Sequence, residues 1–238
     1  MKVDVTYIIH SCFTVEFDDE VLLFDYPRSG FSTKGTKRLV ESKLKGKNAF
    51  ILSSHSHGDH FTADVFDIEK AAEKAHFVLS DDIILHGKSK PSKLTMIGPQ
   101  KKVDLNSITI ETFESNDAGV AFLIKYKDKK IYYGGDLAMW DWPEWSSAKR
   151  REHVEVFEDV LNTLKEMKIH IAFSNMDKRL KSWAGPKEFI KTVKPTYFIP
   201  MHTFGNEGWI EDLVKEDVTD NTEIFKYERP GDSVELDI

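Results

Sequence analysis

The stretch "ILSSHSHGDHF", residues 51–61, carries an unusual concentration of potential metal ligands, directly after the apolar run "NAFILSS". We call them the histidine cluster: His55, His57, Asp59 and His60. A nearly continuous apolar run is typical of a buried strand. A helix is expected next in "TADVFDIEKAAEKA", with Thr62 at its N-cap. The sequence therefore predicts that the cluster lies on a loop between a buried strand and a helix.

The spacing within the cluster favours two adjacent metal pockets. Residues two apart on an extended segment point to the same side, so His55 and His57 can present imidazoles to one ion. Gly58 permits an otherwise costly backbone conformation that can aim Asp59 and His60 to the other side. Nitrogen and oxygen ligands of this kind suit zinc best, and also manganese or iron. The alternative is a polar turn with solvated histidines.

Length, charge and cysteine content restrict the class of protein. The 238 residues fit one large domain or two small ones, and we expect one. The net charge of −7 without a basic block argues against nucleic-acid partners. Cys12 is the single cysteine, which excludes an internal disulfide and a cysteine-rich zinc site. The sequence has no apolar run of about 18 residues and no signal-peptide pattern. We therefore expect a cytoplasmic protein without a membrane partner.

Two strand-rich series, each followed by alternating strands and helices, predict the fold class. The first series is "VDVTYII", "CFTVEF", "VLLFD" and "NAFILSS"; the second is "SITIETF", "VAFLIKY" and "KIYYGG". A long amphipathic helix is expected after Ser146 or Ser147, followed by "IHIAFS", "GPKEFIKTV", "PTYFIPMH", "EGWIEDLVKE", "EIFKY" and "SVELDI". This order suits two sheets packed face to face with helices outside. We expect a single α+β domain over residues 1–238, a four-layer αββα sandwich.

The cluster and three further strand ends resemble the metallo-β-lactamase superfamily of metal-dependent hydrolases over most of the chain. Asp25, which ends "VLLFD", looks like the first motif, and "HSHGDH" looks like the second. Asp136 in "GGDL" looks like the fourth motif, and His202 in "YFIPMH" looks like the fifth. The resemblance implies that Asp25 supports the ligands. It also implies His55 and His57 for one ion, Asp59, His60 and His202 for a second, and Asp136 as the bridge between them.

The third motif is where the chain departs from this pattern. The family places a histidine about twenty residues before the bridging aspartate, whereas this region reads "TFESNDAGVAFLI", with Ser115, Asn116 and Asp117. We therefore expect the second site to hold one ion tightly. The first site is expected to be weak, empty or occupied by a harder ion that uses Asp117 or Asn116. As an alternative, Asp117 is a turn residue in "NDAG".

Several residues outside the motifs are weaker candidates for the pocket. His10, in "IIHSCF", stands at a strand end and is a candidate pocket residue or extra ligand; a bonded histidine of the sheet is the alternative. Trp140, the first tryptophan of "MWDWPEW", could wall a groove and stack on substrate, or could simply pack. Asp177 lies in "SNMDKRL" beside Lys178 and Arg179. Cations there would suit an anionic small molecule.

The resemblance, above all to the lactonase-like branch of the superfamily, implies a hydrolase that uses metal-bound hydroxide on a small-molecule ester, lactone or phosphodiester. Asp59 is expected to orient the water and to shuttle its proton. Asn116 or Ser115 is expected to donate a hydrogen bond to the developing oxyanion. The alternatives are a noncatalytic metal- or ligand-binding protein with a degenerate first site, and an iron protein of redox function. The sequence leaves the oligomeric state open.

Overall fold

The chain divides into two compact units, each built around one sheet. The computed structural model describes residues 1–85, 91–216, 218 and 221–238. The first unit comprises Met1–Gly98 and Tyr227–Ile238, and the second comprises Pro99–Lys226. Each unit contains one seven-stranded sheet among its described residues. The expectation of a single domain over the whole chain stays a prediction.

The sheet of the first unit has an antiparallel half and a parallel half. Its strands are β1 (Lys2–Ile9), β2 (Cys12–Phe17), β3 (Glu20–Phe24), β4 (Asn48–Ser53), β5 (Lys74–Ser80), β6 (Leu94–Ile97) and the last strand of the chain, β14 (Ser233–Asp237). The order is β14-β1-β2-β3-β4-β5-β6. Pairing is antiparallel from β14 to β3 and parallel from β3 to β6. The first three strands of the chain thus form an antiparallel meander.

The sheet of the second unit repeats this arrangement of halves. Its strands are β7 (Lys102–Leu105), β8 (Ile108–Glu114), β9 (Val120–Tyr126), β10 (Lys129–Tyr133), β11 (Ile171–Asn175), β12 (Tyr197–Met201) and β13 (Glu223–Ile224). The strands stand in the reverse of chain order, from β13 to β7. Pairing is antiparallel from β7 to β10 and parallel from β10 to β13. The segments "VAFLIKY" and "KIYYGG" thus pair as neighbouring antiparallel strands, β9 and β10.

Helices connect the parallel strands in both units. They are α1 (Lys34–Leu44), a 3-10 helix (Ala63–Ala71), α2 (Ser147–Leu164), α3 (Pro186–Val193) and α4 (Trp209–Lys215). Ser146 caps α2 as predicted, because its side chain accepts a hydrogen bond from the Lys149 amide at 3.2 Å. Phe157 and Leu161 of α2 are buried at helical spacing against the core of the second unit. None of the described helices is long and apolar enough to cross a membrane.

The segment after the histidine cluster differs from the prediction. Thr62 caps the helix, with its hydroxyl oxygen 3.3 Å from the Asp64 amide. However, the helix is a 3-10 helix that ends at Ala71, and Ala72 is already extended. From Lys74 onward the chain pairs with β4 as β5, because burying Phe77 and its neighbours against the sheet outweighs the helical propensity of Ala, Glu and Lys. Helix α1 was not foreseen; a capping box between Thr33 and Thr36 begins it.

We expect Gly185→Ala to destabilise the chain more than Gly46→Ala. Both glycines have positive φ, at 96° and 72°, so alanine costs about 1 kcal/mol at either site. At Gly185 a Cβ would also lie 2.8 Å from Phe157 and 2.9 Å from Met139, whereas at Gly46 it would meet nothing within 4 Å. Overpacking adds about 1–3 kcal/mol. Urea unfolding measures the difference; equal losses for the two variants would contradict it.

Candidate metal centre

The histidine cluster lies on the loop from β4 to the 3-10 helix, as predicted. His55 and His60 are buried, whereas His57 is exposed. The His55 ring is 4.7 Å from the His57 ring and 4.2 Å from the His60 ring, centroid to centroid. The loop reverses because the His57 carbonyl accepts hydrogen bonds from the amides of His60 at 3.0 Å and Phe61 at 2.8 Å. The first unit therefore brings three imidazoles together at one strand end.

Asp25 fixes the orientation of two of these imidazoles. This fully buried carboxylate lies 2.7 Å from His60 Nδ1 and accepts hydrogen bonds from the Ser54 amide at 2.7 Å and hydroxyl at 2.6 Å. Because the Ser54 hydroxyl donates to Asp25, it accepts from His55 Nδ1, which is 3.0 Å away. Both histidines then carry their proton on Nδ1 and present Nε2 as a base. This is the form in which histidine binds a metal.

Gly58 acts differently from the prediction. Its φ does not lie in the left-handed region, so conformational freedom is not what the position requires. The Arg28 side chain instead packs on it, and a Cβ at this position would lie 2.6 Å from Arg28 Cδ. The Arg28 amide also donates to the Gly58 carbonyl at 2.8 Å. Glycine is therefore needed here for close approach of a side chain.

His10 lies beside the cluster within the first unit. It is 5% exposed, and its Nε2 is 3.4 Å from Asp59 Oδ2. Its ring makes an edge contact with His60 at 5.7 Å and stacks on Phe31 at 6.1 Å. His10, Asp59 and His60 each offer a ligand atom, and these atoms lie within 4.8 Å of one another. The structure thus brings His10 to the cluster, as the sequence suggested for a pocket residue.

Asp136 and His202 come together in the second unit. Asp136 is 7% exposed, and its Oδ1 is 3.6 Å from His202 Nε2. The backbone around Asp136 is held by two side chains: Asn175 Nδ2 donates to the Gly135 carbonyl at 2.8 Å, and Trp140 Nε1 donates to the Asp136 carbonyl at 2.9 Å. The indole of Trp140 also lies edge-on to His202 at 5.7 Å. Trp140 is therefore a buried residue that positions Asp136 and His202 within the second unit.

Asn116 has a role that the sequence did not reveal. Its Nδ2 donates to the carbonyls of Ala138 at 2.6 Å and His153 at 2.7 Å, and its Oδ1 accepts from the Ala138 amide at 3.2 Å. Both amide hydrogens are thus used to clamp the chain just after Asp136. These bonds give Asn116 a structural role. The oxyanion role, which would require one of them to break, stays a prediction.

The side chain of Asp117, the next residue, lies near Asp136. Asp117 is exposed, and its amide donates a hydrogen bond to the Ser115 hydroxyl oxygen at 3.3 Å. Its side chain offers a carboxylate oxygen within 4.8 Å of one from Asp136. Two carboxylates this close repel each other unless a cation or a proton lies between them. Of the three residues in place of the third-motif histidine, Asp117 thus puts a carboxylate beside Asp136, and Ser115 caps its turn.

Asp177 anchors a cation. It is fully buried, and its carboxylate accepts hydrogen bonds from Arg179 Nε at 2.8 Å and Nη2 at 2.5 Å. This pairing raises the pKa of Arg179 above its usual value. The guanidinium carbon lies 4.3 Å from the ring centre of Phe204 and 5.5 Å from that of Trp142. Lys178, by contrast, pairs with Asp212 of α4 at 2.5 Å.

Strained backbone marks three of the candidate residues. His10, Asp25 and His202 have φ values of 53°, 45° and 63°, and each directly follows the last residue of a strand. A left-handed conformation costs a non-glycine residue about 1 kcal/mol or more and is concentrated at functional sites. The sequence alone does not predict this feature, because the residue type does not determine the sign of φ at these positions.

Solved structures of low sequence identity share the fold of the chain. Igni18, a novel metallo hydrolase from the hyperthermophilic archaeon Ignicoccus hospitalis, superimposes with a TM-score of 0.65 at 16% identity, over 100% of both chains. YhfI from Bacillus subtilis, a metallo-beta-lactamase fold protein, gives 0.65 at 15% identity over 99% of this chain and 100% of that one. CmlA, a diiron beta-hydroxylase from Streptomyces venezuelae, gives 0.60 at 10% identity over 99% of this chain and 54% of that one.

The sequence comparisons define the family. No curated protein matches the chain significantly. The family model of the beta-lactamase superfamily domain matches residues 4–157, well over half of the chain. The predicted fold class, α+β with two mixed sheets and helices, is confirmed as the metallo-β-lactamase fold. The chain belongs to the β-lactamase superfamily.

Proposed function

We propose that the protein is a metal-dependent hydrolase of a small-molecule ester, lactone or phosphodiester. The observation that carries the proposal is the Asp25 network, which prepares the Nε2 atoms of His55 and His60 as metal ligands. Membership of a superfamily that consists mostly of metal-dependent hydrolases supports the same conclusion. The proposed ligands are the motif residues His55, His57, Asp59, His60, Asp136 and His202.

The donor set fits divalent transition metals. Imidazole nitrogens suit zinc and iron, and carboxylates additionally suit manganese. We propose zinc as the main ion, held tightly by the second set of ligands, Asp59, His60 and His202 with Asp136. For the first set we propose Asp117 in place of the third-motif histidine. Exchanging a neutral imidazole for a carboxylate favours a harder ion there, such as manganese or ferrous iron.

The residues around such a centre have separable tasks. A bound divalent ion would lower the pKa of water toward about 7 and polarise the substrate carbonyl or phosphoryl oxygen. Asp59 would orient the attacking water and pass its proton to the leaving group. His10 Nε2 lies 3.4 Å from Asp59 Oδ2, so His10 can hold that carboxylate in place or exchange a proton with it. Asp25 keeps His60 from turning during this transfer.

The proposal also covers the cysteine, the partners and the cellular location of the protein. The burial of Cys12 and the nearby charge of Asp25 raise the pKa of the thiol well above its usual value, so Cys12 stays protonated and contributes no thiolate ligand. With a net charge of −7 and no basic block, a small molecule is a better partner than a nucleic acid or a membrane. A cytoplasmic location is proposed on the same composition.

The competing function is a metal- or ligand-binding protein without catalysis. One specific observation supports it: the third-motif histidine is absent, and the side-chain amide of Asn116 already donates to two backbone carbonyls. The two functions differ in a direct way. A binding protein would retain metal without turning over esters, lactones or phosphodiesters, whereas a hydrolase would do both.

Asp25→Asn should weaken zinc binding by about 10- to 100-fold, because it removes the group that fixes the proton on His60 Nδ1. Ser54→Ala is the matched comparison: it removes the hydroxyl that contacts His55 and one donor to Asp25 but keeps the contact between Asp25 and His60, and we expect a loss of less than about tenfold. Competition with a chromophoric chelator measures both affinities without any need for turnover. If Asp25→Asn binds zinc as tightly as the parent, the network does not prepare the ligands.

Asp59→Asn and His202→Ala should each lower hydrolysis by at least about 100-fold, since one removes the proton carrier and the other removes a ligand. A screen of lactones, thioesters and phosphodiesters with added zinc, manganese or iron identifies the assay substrate. His76→Ala, which removes a histidine of β5, controls for general effects and should retain activity. Turnover that survives in both site variants, or none in the parent, would favour the binding protein.

Metal analysis of protein purified without added metal should find about one tightly held ion per chain. Asp117→Asn should leave this ion in place and weaken uptake of a second ion by about tenfold. Glu114→Gln removes an exposed carboxylate at the end of β8 and serves as the matched control. Two equally retained ions in the parent, or an unchanged second affinity in Asp117→Asn, would overturn the asymmetric centre.

A further inference from the structure

Arg179 is held in one orientation by a buried partner. Asp177 is fully buried, and a buried carboxylate is costly unless charged donors satisfy it. Arg179 supplies these donors through Nε at 2.8 Å and Nη2 at 2.5 Å, and its backbone amide adds a third bond at 3.0 Å. The guanidinium is thus positioned before any ligand arrives, and little side-chain entropy remains to be lost on binding.

The Asp177 pairing uses only one edge of the guanidinium. Its Nε and Nη2 donors face Asp177, while Nη1 and the second hydrogen of Nη2 belong to the other edges of the same planar group. The Arg179 side chain remains 49% exposed, and Asp177 is the only carboxylate paired with it among the described residues. An arginine needed solely to neutralise Asp177 could be buried with it. This one keeps donors available toward solvent.

Aromatic rings frame the exposed part of Arg179. Phe204 and Trp142 lie 4.3 Å and 5.5 Å from the guanidinium carbon, measured to the ring centres. Phe204 is 40% exposed although it is a large apolar residue. Rings at these positions shield part of the guanidinium from water, which strengthens a charge-assisted hydrogen bond to an anion that arrives at its exposed edge.

The same rings connect Arg179 to the candidate metal ligand His202. Phe204 contacts His202 edge-on at 4.4 Å between centroids, and Trp142 stacks on Trp140 at 6.3 Å and 12°. Trp140 in turn contacts His202 at 5.7 Å. These contacts form a closed ring within the second unit, with Arg179 on one side and His202 on the other. Arg179 is therefore separated from a proposed metal ligand by a single aromatic layer.

We propose that Arg179 binds a carboxylate or phosphate group of the substrate, so that the hydrolase acts on small molecules that carry an anionic group besides the bond to be cleaved. This inference rests on the proposed function. Asp177 compensates the charge of Arg179, so recognition depends on paired N–H donors in a fixed plane more than on net charge. Such paired donors match the two oxygens of a carboxylate or phosphate. Lysine at this position would keep the charge but lose the paired donors.

Anion binding can be tested apart from catalysis. Isothermal titration calorimetry of the full chain, as purified, measures the binding of benzoate and of phenyl phosphate. The two probes share a phenyl group and differ in the anionic group that it carries. Arg179→Lys should weaken the preferred anion by at least about tenfold, because the ammonium is a single point donor. Lys187→Gln is the control, since Lys187 lies over the ring of Trp183 at 4.3 Å and pairs with Glu216. Its anion affinity should equal that of the parent.

A second variant keeps the proposal testable if Arg179→Lys does not fold. If Arg179→Lys unfolds because Asp177 is left poorly paired, the double variant Asp177→Asn with Arg179→Gln removes both buried charges and should fold yet bind neither anion. Tighter binding of benzoate or of phenyl phosphate identifies the anion class. No binding by the parent, or equal binding by a folded Arg179 variant, overturns the proposal.

Failure of the hydrolase can be told apart from failure of this inference. Asp59→Asn should bind the anion like the parent while lacking turnover, because the contacts described for Arg179 are made by Asp177, Phe204 and Trp142. Where a substrate is found, Arg179→Lys should raise KM for anionic substrates and leave neutral analogues of the same ester unchanged. Equal effects on both kinds of substrate would overturn the assignment.

Discussion

The buried carboxylate of Asp25 is the interaction on which the first unit depends. It accepts both the amide and the hydroxyl of Ser54 and holds His60, while its own amide donates to the Leu52 carbonyl at 2.9 Å. The end of β3 is thereby tied to the end of β4 by the same atoms that orient the imidazoles. A fully buried carboxylate is tolerated only when its oxygens are satisfied. Fold and ligand geometry therefore cannot be changed independently at this position.

Backbone strain at strand ends follows from the same requirement. A strand directs its side chains alternately to its two faces, so a residue that must point beyond the end of the sheet has to leave the extended conformation abruptly. His10, Asp25 and His202 do so with positive φ immediately after β1, β3 and β12. The cost of about 1 kcal/mol each is offset by the strand pairing and the buried contacts around them. Candidate ligands thus coincide with the places where regular pairing stops.

Periodicity and residue type were enough to predict the strands, the capped helix after Ser146 and the position of the histidine cluster, because these depend on local pattern. They were not enough where a tertiary contact decides. Asn116 reads as a polar turn residue, and only the fold shows that its amide clamps the Ala138 backbone. The sequence predicts an unusual backbone conformation at Gly58, yet the reason for glycine is that the Arg28 side chain leaves no room for a Cβ. The 3-10 helix ended early because pairing of β5 with β4 outweighed helical propensity.

The candidate ligands of each unit mix nitrogen and oxygen donors. The first unit carries Asp59 near His10 and His60, and the second carries His202 near Asp136. Within the first unit, the hydrogen bonds from Asp25 and Ser54 to the Nδ1 side of His60 and His55 set the orientation of both rings. Within the second unit, the carboxylates of Asp117 and Asp136 lie close to each other. A carboxylate in place of the third-motif imidazole adds negative charge without changing the contacts of Asp25. Because carboxylates favour harder cations than imidazoles do, such an exchange would change the preferred metal while the Asp25 network is kept.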